Sequence, residues 1–279
     1  HGDFDVRVDA FEDTGTVWRL PLWDVARFQV ARRAQTRDPS DLETARRDFD
    51  RPLSLDVSTE RATHTETLLA AGTREALAWL TSHGTFQGPL PEPDRDVPVP
   101  AMCRDLEGWM TARAVGDLEA TFASGYVSNP SSGEHVKGHA IVLAELGLVP
   151  FRGRVVRDPA TFEGHWTRAR RAEHILSRLA FLRAVMGRLD RTHVVLFRAV
   201  STAGSIDFRW PGTFVSASFD RRVSEALFDS GEPTRTAQLT RQAVPVERLF
   251  MTYLETRAMN AHFREAEAIL LHAPGNPAF

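Results

Sequence analysis

The sequence predicts an α+β fold on two observations: apolar residues keep helical spacing up to about Asp190, and short runs rich in β-branched and aromatic residues take over after it. Composition sets the scale. With 279 residues, 42% hydrophobic and 25% charged, the chain is globular rather than disordered and long enough for one large domain or two smaller ones.

From His1 to about Gly88 the pattern reads as mostly helical, with Val25, Phe28 and Val30-Ala31 near helical spacing, then Leu68, Leu69, Ala76, Leu77, Trp79 and Leu80. Gly88 to Pro100 is dense in proline, which stops helices on both sides and makes this stretch the linker candidate. Residues 1–100 are therefore expected to form a helical N-terminal region ending in a Pro-rich linker, and residues 101–279 a second, catalytic domain. Met102 to Phe122 reads as one amphipathic helix, Ser128 to Gly133 as a turn, and His135 to Leu146 as a helix closed at Gly147 in a left-handed cap. Phe162 to Leu189 is a long helical tract with Ile175, Leu176, Leu179, Leu182, Val185 and Met186 as its buried stripe and arginines facing water. Four strands follow: His193–Val200, Thr213–Phe219, a run around Arg248–Tyr253, and Ala266–His272.

A net charge of −3 from 34 basic and 37 acidic residues gives no global field to hold nucleic acid or anionic lipid, so such a partner would need a local patch. Lys137 is the only lysine, which reads first as genomic composition bias. The single cysteine, Cys103, closes no internal disulfide and reads as a small buried hydrophobe in a reducing cytoplasm. No apolar run approaches the ~18 residues of a membrane span, and His1-Gly2-Asp3-Phe4 has neither an initiator Met nor a secretory core. The expected location is cytoplasmic, with a secreted effector as the alternative. There is no glycine-rich phosphate loop, HExxH or paired CxxC, which removes P-loop, zinc-protease and zinc-ribbon readings.

Three features in the β-like half carry chemistry. Arg198 interrupts an apolar strand, where a guanidinium needs a partner: an internal carboxylate, or a bound phosphate or carboxylate that its fork fits well. Ser216 and Ser218 are two apart, on one face of a strand; taken alone they are an ordinary exposed pair. Glu265 and Glu267 stand at the mouth of the last strand; if both belong to it they aim at one site and raise each other's pKa, and otherwise they are a solvated strand end. Around the serine strand, Phe208, Trp210, Phe214 and Phe219 are core residues or a stacking surface for a planar ring. His193 and His272 read as hydrogen-bonded surface groups, and Arg168, Arg170 and Arg171 as a solvated helix face or a docking patch.

In the order Arg, Ser-x-Ser, Glu-x-Glu, these features resemble the signature of mono-ADP-ribosyltransferases. The blocks GYVSNPSSGEHVKGHAIVLAELGLVP, RTHVVLFRAV, TFVSASFDRRVSEALF, VPVERLF and REAEAILL, spread from about Phe122 to His272, are similar to those of dinitrogenase reductase ADP-ribosyltransferases, bacterial enzymes that modify an arginine of the nitrogenase iron protein. That family usually has a Tyr-Arg-Gly turn where this chain has Phe197-Arg198-Ala199, so a divergent member is implied, with no nitrogenase target assumed. The resemblance implies two packed perpendicular β-sheets with NAD in the cleft between them, and NAD as co-substrate. It implies Arg198 as anchor for the phosphate and ribose of NAD, and Ser216 and Ser218 as scaffold of its pocket, with Ser216 the more direct contact. Asn129, Ser131 and Lys137 fall in a matching block, where they could touch NAD or a partner protein or form an ordinary turn and helix start, and Phe219 joins the NAD-binding candidates. Glu267 would be the catalytic carboxylate at the nicotinamide ribose. Glu265 would orient or deprotonate the acceptor, a guanidinium of a protein partner in members that carry Glu-x-Glu. The alternative is an NAD glycohydrolase, or transfer to a nucleotide or nucleic-acid base. No metal is implied.

Overall fold

The structure, a computed structural model, describes residues 3–7, 17–21, 52–90, 98–128, 133–156, 159–202, 212–226, 236–260 and 264–273. Its elements are mixed α and β with antiparallel sheets. Two strands, β1 (Asp3–Arg7) and β2 (Val17–Pro21), pair antiparallel within the stretch expected to be helical. Asp3-Phe4-Asp5-Val6-Arg7 alternates polar and apolar residues with a period of two, a strand signal that a helical reading of the longer stretch averages away. The Val25–Ala31 segment lies outside the described residues.

A second small sheet pairs β3 (Pro52–Leu55) with β4 (Phe151–Arg154). Helix α1 (Thr59–His83) buries Leu69, Ala76 and Leu80, while Leu68 and Leu77 stay 41% and 42% exposed; the buried stripe is narrower than the apolar spacing suggested. Met102–Phe122 is not one helix but two, α2 (Pro100–Ala112) and α3 (Gly116–Ser128). The break is a closing turn with Ala114 at φ 56°, in which Val115 N–H donates to Met110 O at 2.9 Å and Ala114 N–H to Thr111 O at 3.0 Å. Met110 and Val115 are both buried, the apolar pair that accompanies this turn. Helix α4 (Glu134–Glu145) ends as the sequence predicts, with Gly147 at φ 78°.

Two 3-10 turns, Pro159–Phe162 and Gly164–Trp166, lead into the central helix α5 (Arg168–Arg188). It buries Ile175, Leu179, Leu182, Val185 and Met186, and packs against the four helices before it. Leu80, before the proline-rich segment, and Met102, after it, belong to the same core as Phe250 and Ile269 of the sheet.

That sheet has five antiparallel strands in the order β7–β5–β6–β9–β8, formed by β5 (His193–Thr202), β6 (Phe214–Ser218), β7 (Thr236–Pro245), β8 (Leu249–Thr252) and β9 (Glu267–Leu271). A short helix, α6 (Arg221–Ala226), follows β6. The sequence reading missed β7. TAQLTRQAVP has few apolar residues because an edge strand exposes most of its length. Among the described residues, no helix is long and apolar enough to cross a membrane.

The arginines of α5 do not all face water, contrary to the sequence reading. Arg171 and Arg178 are fully buried. Arg171 donates to the carbonyls of Trp166 (2.9 Å), His135 (3.0 Å) and Thr161 (2.7 Å), and its Nη1 lies 2.7 Å from His139 Nδ1. A guanidinium only donates, so His139 accepts at Nδ1 and carries its proton on Nε2. That proton points at His174 Nδ1, 3.0 Å away, and His174 Nε2 donates in turn to Glu119 Oε2 at 2.9 Å. Burial, above all, holds both imidazoles below their ordinary range and keeps them neutral. Arg178 lies between Glu119 (3.4 Å) and Glu255 (3.3 Å), so a chain of hydrogen bonds and ion pairs, which converges on Glu119 from both sides, crosses the helical core and ends in the turn after β8.

Gly138 makes room for this chain. A Cβ at that position would sit 2.9 Å from Arg171 Cζ, and the guanidinium, tied by its several hydrogen bonds, cannot retreat without leaving acceptors unmatched. Gly138→Ala is expected to lower stability by roughly 1–3 kcal/mol, read as a reduced urea midpoint. An unchanged midpoint would mean that the guanidinium is not locked.

Candidate active site

The site forms where the five-stranded sheet comes close to dividing. β5 is paired with β7 along its whole length and β6 with β9 along its whole length, but β5 and β6 share one register pair, Phe197 with Ser218. Beyond it the ladder is replaced by a side chain: Arg198 Nη1 donates to Ser216 O at 3.0 Å. The mouth between the strands is a hollow of about 260 Å³, lined by Phe197, Arg198 and Ala199 on one side, Ser216, Ala217 and Ser218 on the other, with Glu265 and Glu267 from the β9 end and Val223 and Ser224 from α6. Three segments remote in sequence thus meet at one place.

Arg198 forms no ion pair with a carboxylate among the described residues, and its Nε, removed from solvent, has no hydrogen-bond partner among them. Burial lowers its pKa, with the Tyr126 phenol opposing that shift. The internal salt bridge that the sequence left open for Arg198 is therefore not found among the described residues. A half-buried guanidinium on the lining of a hollow suits an anion.

The two serines divide their work. Ser216 Oγ donates to Glu267 Oε1 at 2.5 Å. Ser218 Oγ donates to the backbone carbonyl of Glu265 at 2.7 Å and accepts from Asp220 N–H at 3.0 Å. Burial pushes the Glu267 carboxyl up to about 7; the Ser216 hydrogen bond opposes the rise and Glu265 adds to it. Burial also raises Glu265. Two desolvated carboxylates beside each other favour a cation between them.

β9 starts at Glu267, so Glu265 is not a strand residue. It is flanked instead by two non-glycine residues in the left-handed region, Arg264 (φ 48°) and Ala266 (φ 45°), a conformation that costs an L-residue about 1–2 kcal/mol. Phe219 N–H donates to Ala266 O and Tyr253 N–H to Glu267 O, both at 2.9 Å, and the Ser218 hydroxyl holds the carbonyl between Glu265 and Ala266. Together these bonds hold the strained backbone, with one of them at each carbonyl. Both carboxylates face one hollow, as expected, but through a turn and not through strand alternation.

Phe219 is not among the residues lining the hollow; its ring packs edge-on against Tyr253 at 5.7 Å. Phe214 joins Phe122, Tyr126 and Phe250 in the core. Asn129, Ser131, Phe208 and Trp210 lie outside the described residues. Lys137 is tied to Glu134 at 2.6 Å. His272 is buried, its backbone N–H on Thr213 O, and both Arg248 and Arg198 help burial to lower its pKa; His193 is exposed. Cys103 is buried, its thiol toward Leu254 O. No three His, Cys, Asp or Glu side chains gather as a metal site among the described residues.

Sequence reasoning missed Tyr126, Val223 and Ser224. Tyr126 is buried at the last turns of α3, and burial raises its phenol pKa while Glu267 raises and Arg198 lowers it, so the ring sits in the field of both ends of the site. Their only signal was their place in blocks similar to those of the family, Tyr126 in GYVSNPSSGEHVKGHAIVLAELGLVP and Val223 and Ser224 in TFVSASFDRRVSEALF. The chain matches no known family model, no curated protein and no solved structure.

The raised Glu267 carboxyl has a consequence for stability. Its folded pKa of about 7 exceeds the ordinary 4.5, so the folded state binds the proton more tightly and loses stability as pH rises from 4.5 to 7. Glu267→Gln is therefore expected to stabilise the protein at pH 8 by up to about 3 kcal/mol, with the gain vanishing near pH 4. Thermal melts across that range test it; a variant less stable at pH 8 would contradict the desolvation.

Proposed function

We propose that this chain is a mono-ADP-ribosyltransferase with the ADP-ribosyltransferase fold, similar to dinitrogenase reductase ADP-ribosyltransferases, which moves ADP-ribose from NAD to an arginine side chain of a protein. The observation that supports it is the meeting of Arg198, Ser216, Ser218, Glu265 and Glu267 at one hollow in the divided sheet. At about 260 Å³ the hollow falls below the roughly 300–1,000 Å³ of a site that encloses a drug-sized molecule, so in this reading it takes the nicotinamide ribose end of the dinucleotide.

The chemistry follows from charge. Nicotinamide is bound to ribose as a cation and leaves neutral, so positive charge moves onto the sugar, and the leaving group needs no acid. Ionised Glu267, aimed by Ser216, stabilises the oxocarbenium-like sugar and accepts a hydrogen bond from a ribose hydroxyl. Arg198 holds the diphosphate side through charge-assisted bonds. The acceptor guanidinium is protonated at neutral pH; Glu265 holds it and takes its proton as nitrogen attacks.

Only the ionised form of Glu267 works in this scheme. In the free protein kcat/KM for NAD should therefore fall as pH drops through about 7; an acid limb near 4.5 would mean that the carboxyl is hydrated. Glu267→Gln should lower nicotinamide release and transfer together, by about a hundredfold to a thousandfold, and Glu265→Gln should lower transfer far more than release. Mass spectrometry of lysate proteins incubated with labelled NAD tests the acceptor class. Free ADP-ribose with no protein adduct would replace the transferase by a glycohydrolase.

A further inference from the structure

The backbone that carries Glu265 is not fixed by sheet pairing. β9 begins two residues later, Arg264 and Ala266 are both left-handed, and Ala266 is fully buried. Of the groups that hold this turn, the N–H groups of Phe219 and Tyr253 are main chain. Among the described residues the Ser218 hydroxyl is a side chain that clamps it, and its orientation is set twice, by donating to Glu265 O at 2.7 Å and accepting from Asp220 N–H at 3.0 Å. Ser216, two residues earlier, acts on the other carboxylate directly, through Glu267 Oε1.

We propose that Ser218 and the strained Ala266 form a specificity device that places Glu265 against Glu267 and thereby sets how much ADP-ribose passes to a guanidinium acceptor and how much to water. This rests on the transferase reading. In both outcomes the C1′–nicotinamide nitrogen bond breaks and its electron pair leaves with nicotinamide, cancelling the positive charge. For transfer, a guanidinium nitrogen donates its lone pair to C1′ and its proton goes to Glu265. For hydrolysis, water oxygen forms the bond to C1′ and its proton is lost to a carboxylate or solvent. Glu267 serves both outcomes, whereas a displaced Glu265 harms only the first. Ser218 is in this sense a positioning residue that acts through Glu265.

Strain makes the device separable from ordinary damage. Without the Ser218 clamp a left-handed alanine relaxes toward its ordinary conformation and carries Glu265 away; glycine has no such preference. The experiment measures nicotinamide release and ADP-ribose incorporation into agmatine, a free guanidine, for the full chain and for Ser218→Ala, Ser218→Thr, Ala266→Gly and the Ser218→Ala/Ala266→Gly double variant. Ser218→Ala is expected to lower the ratio of incorporation to release at least tenfold. Ser218→Thr, which keeps the hydroxyl, and the double variant, which removes the strain, should bring the ratio back to within about threefold of the parent. If Ser218→Ala does not fold, Ala266→Gly combined with Ser218→Ala is compared with Ala266→Gly alone, and a ratio that drops tenfold there overturns the strain argument. Proportional loss of both activities in Ser218→Ala, or a double variant as poor as the single, also overturns the proposal. A parent chain that releases no nicotinamide would instead sink the transferase reading, and this inference with it.

Discussion

The hydrogen bond from the Arg198 guanidinium to the carbonyl of Ser216 is the contact on which the site depends. In an antiparallel sheet the main chain holds neighbouring strands, and nothing can enter between them. Here β5 and β6 share a single pair, and a side chain takes over where the ladder stops. A guanidinium can do this because its five donors reach in several directions: one binds the strand, while Nε stays uncommitted. The strands are thus tied and parted by one residue, and the gap so made is where both serines and both glutamates converge.

The helical half supplies what this gap needs beneath it. α5 carries the two buried arginines that organise a polar chain from the Trp166, His135 and Thr161 carbonyls to Glu255. Glu255 accepts from Thr252 N–H at 2.7 Å and closes the turn after β8, and Tyr253, which follows Thr252, holds the carbonyl of Glu267. Phe122 packs against His139 and, on another side, against Phe214 and Phe250 of the sheet. Removing one member of such a chain leaves its neighbour charged or unmatched in a dry interior, which costs more than losing an exposed ion pair. The Glu267 backbone is therefore braced from the far side of the molecule.

Much of this was legible in residues that follow simple periods. His193–Val200 and Ala266–His272 announce strands because β-branched and apolar residues crowd them, and Gly147 announces a helix end because little else adopts a positive φ so readily. The spacing of Ser216 and Ser218, and of Glu265 and Glu267, suggested no shared site by itself; the order of these pairs after Arg198, through its resemblance to a family signature, did. β7 was not legible, since an edge strand with polar faces looks like a loop. Nor was the break at Ala114, which is fixed by tertiary packing of Met110 and Val115 and not by a glycine. Arg171 and Arg178 sat in a helix rich in exposed arginines, and nothing local marks two of them as buried; apart from the Trp166 and Thr161 carbonyls that Arg171 takes, their partners lie in α3, α4 and the turn after β8, far away in sequence. Tyr126 was hidden for the same reason.

The site is also where the fold runs against its own stability. Glu267 is desolvated next to another carboxylate, Arg198 has an unmatched buried donor, and two residues beside Glu265 hold a strained backbone. Each feature alone is tolerable in a folded protein, but their coincidence in one hollow is not what packing by itself would select. A ligand with an anionic end and a developing positive charge would relieve the first two together: the anion pairs with Arg198, and the cation favours the charged form of both carboxylates. The strain at Ala266 would remain, because it belongs to the geometry that keeps Glu265 and Glu267 on one side of that charge. What looks like a set of local defects is therefore better understood as one arrangement, completed only when charge appears between a guanidinium and a pair of carboxylates.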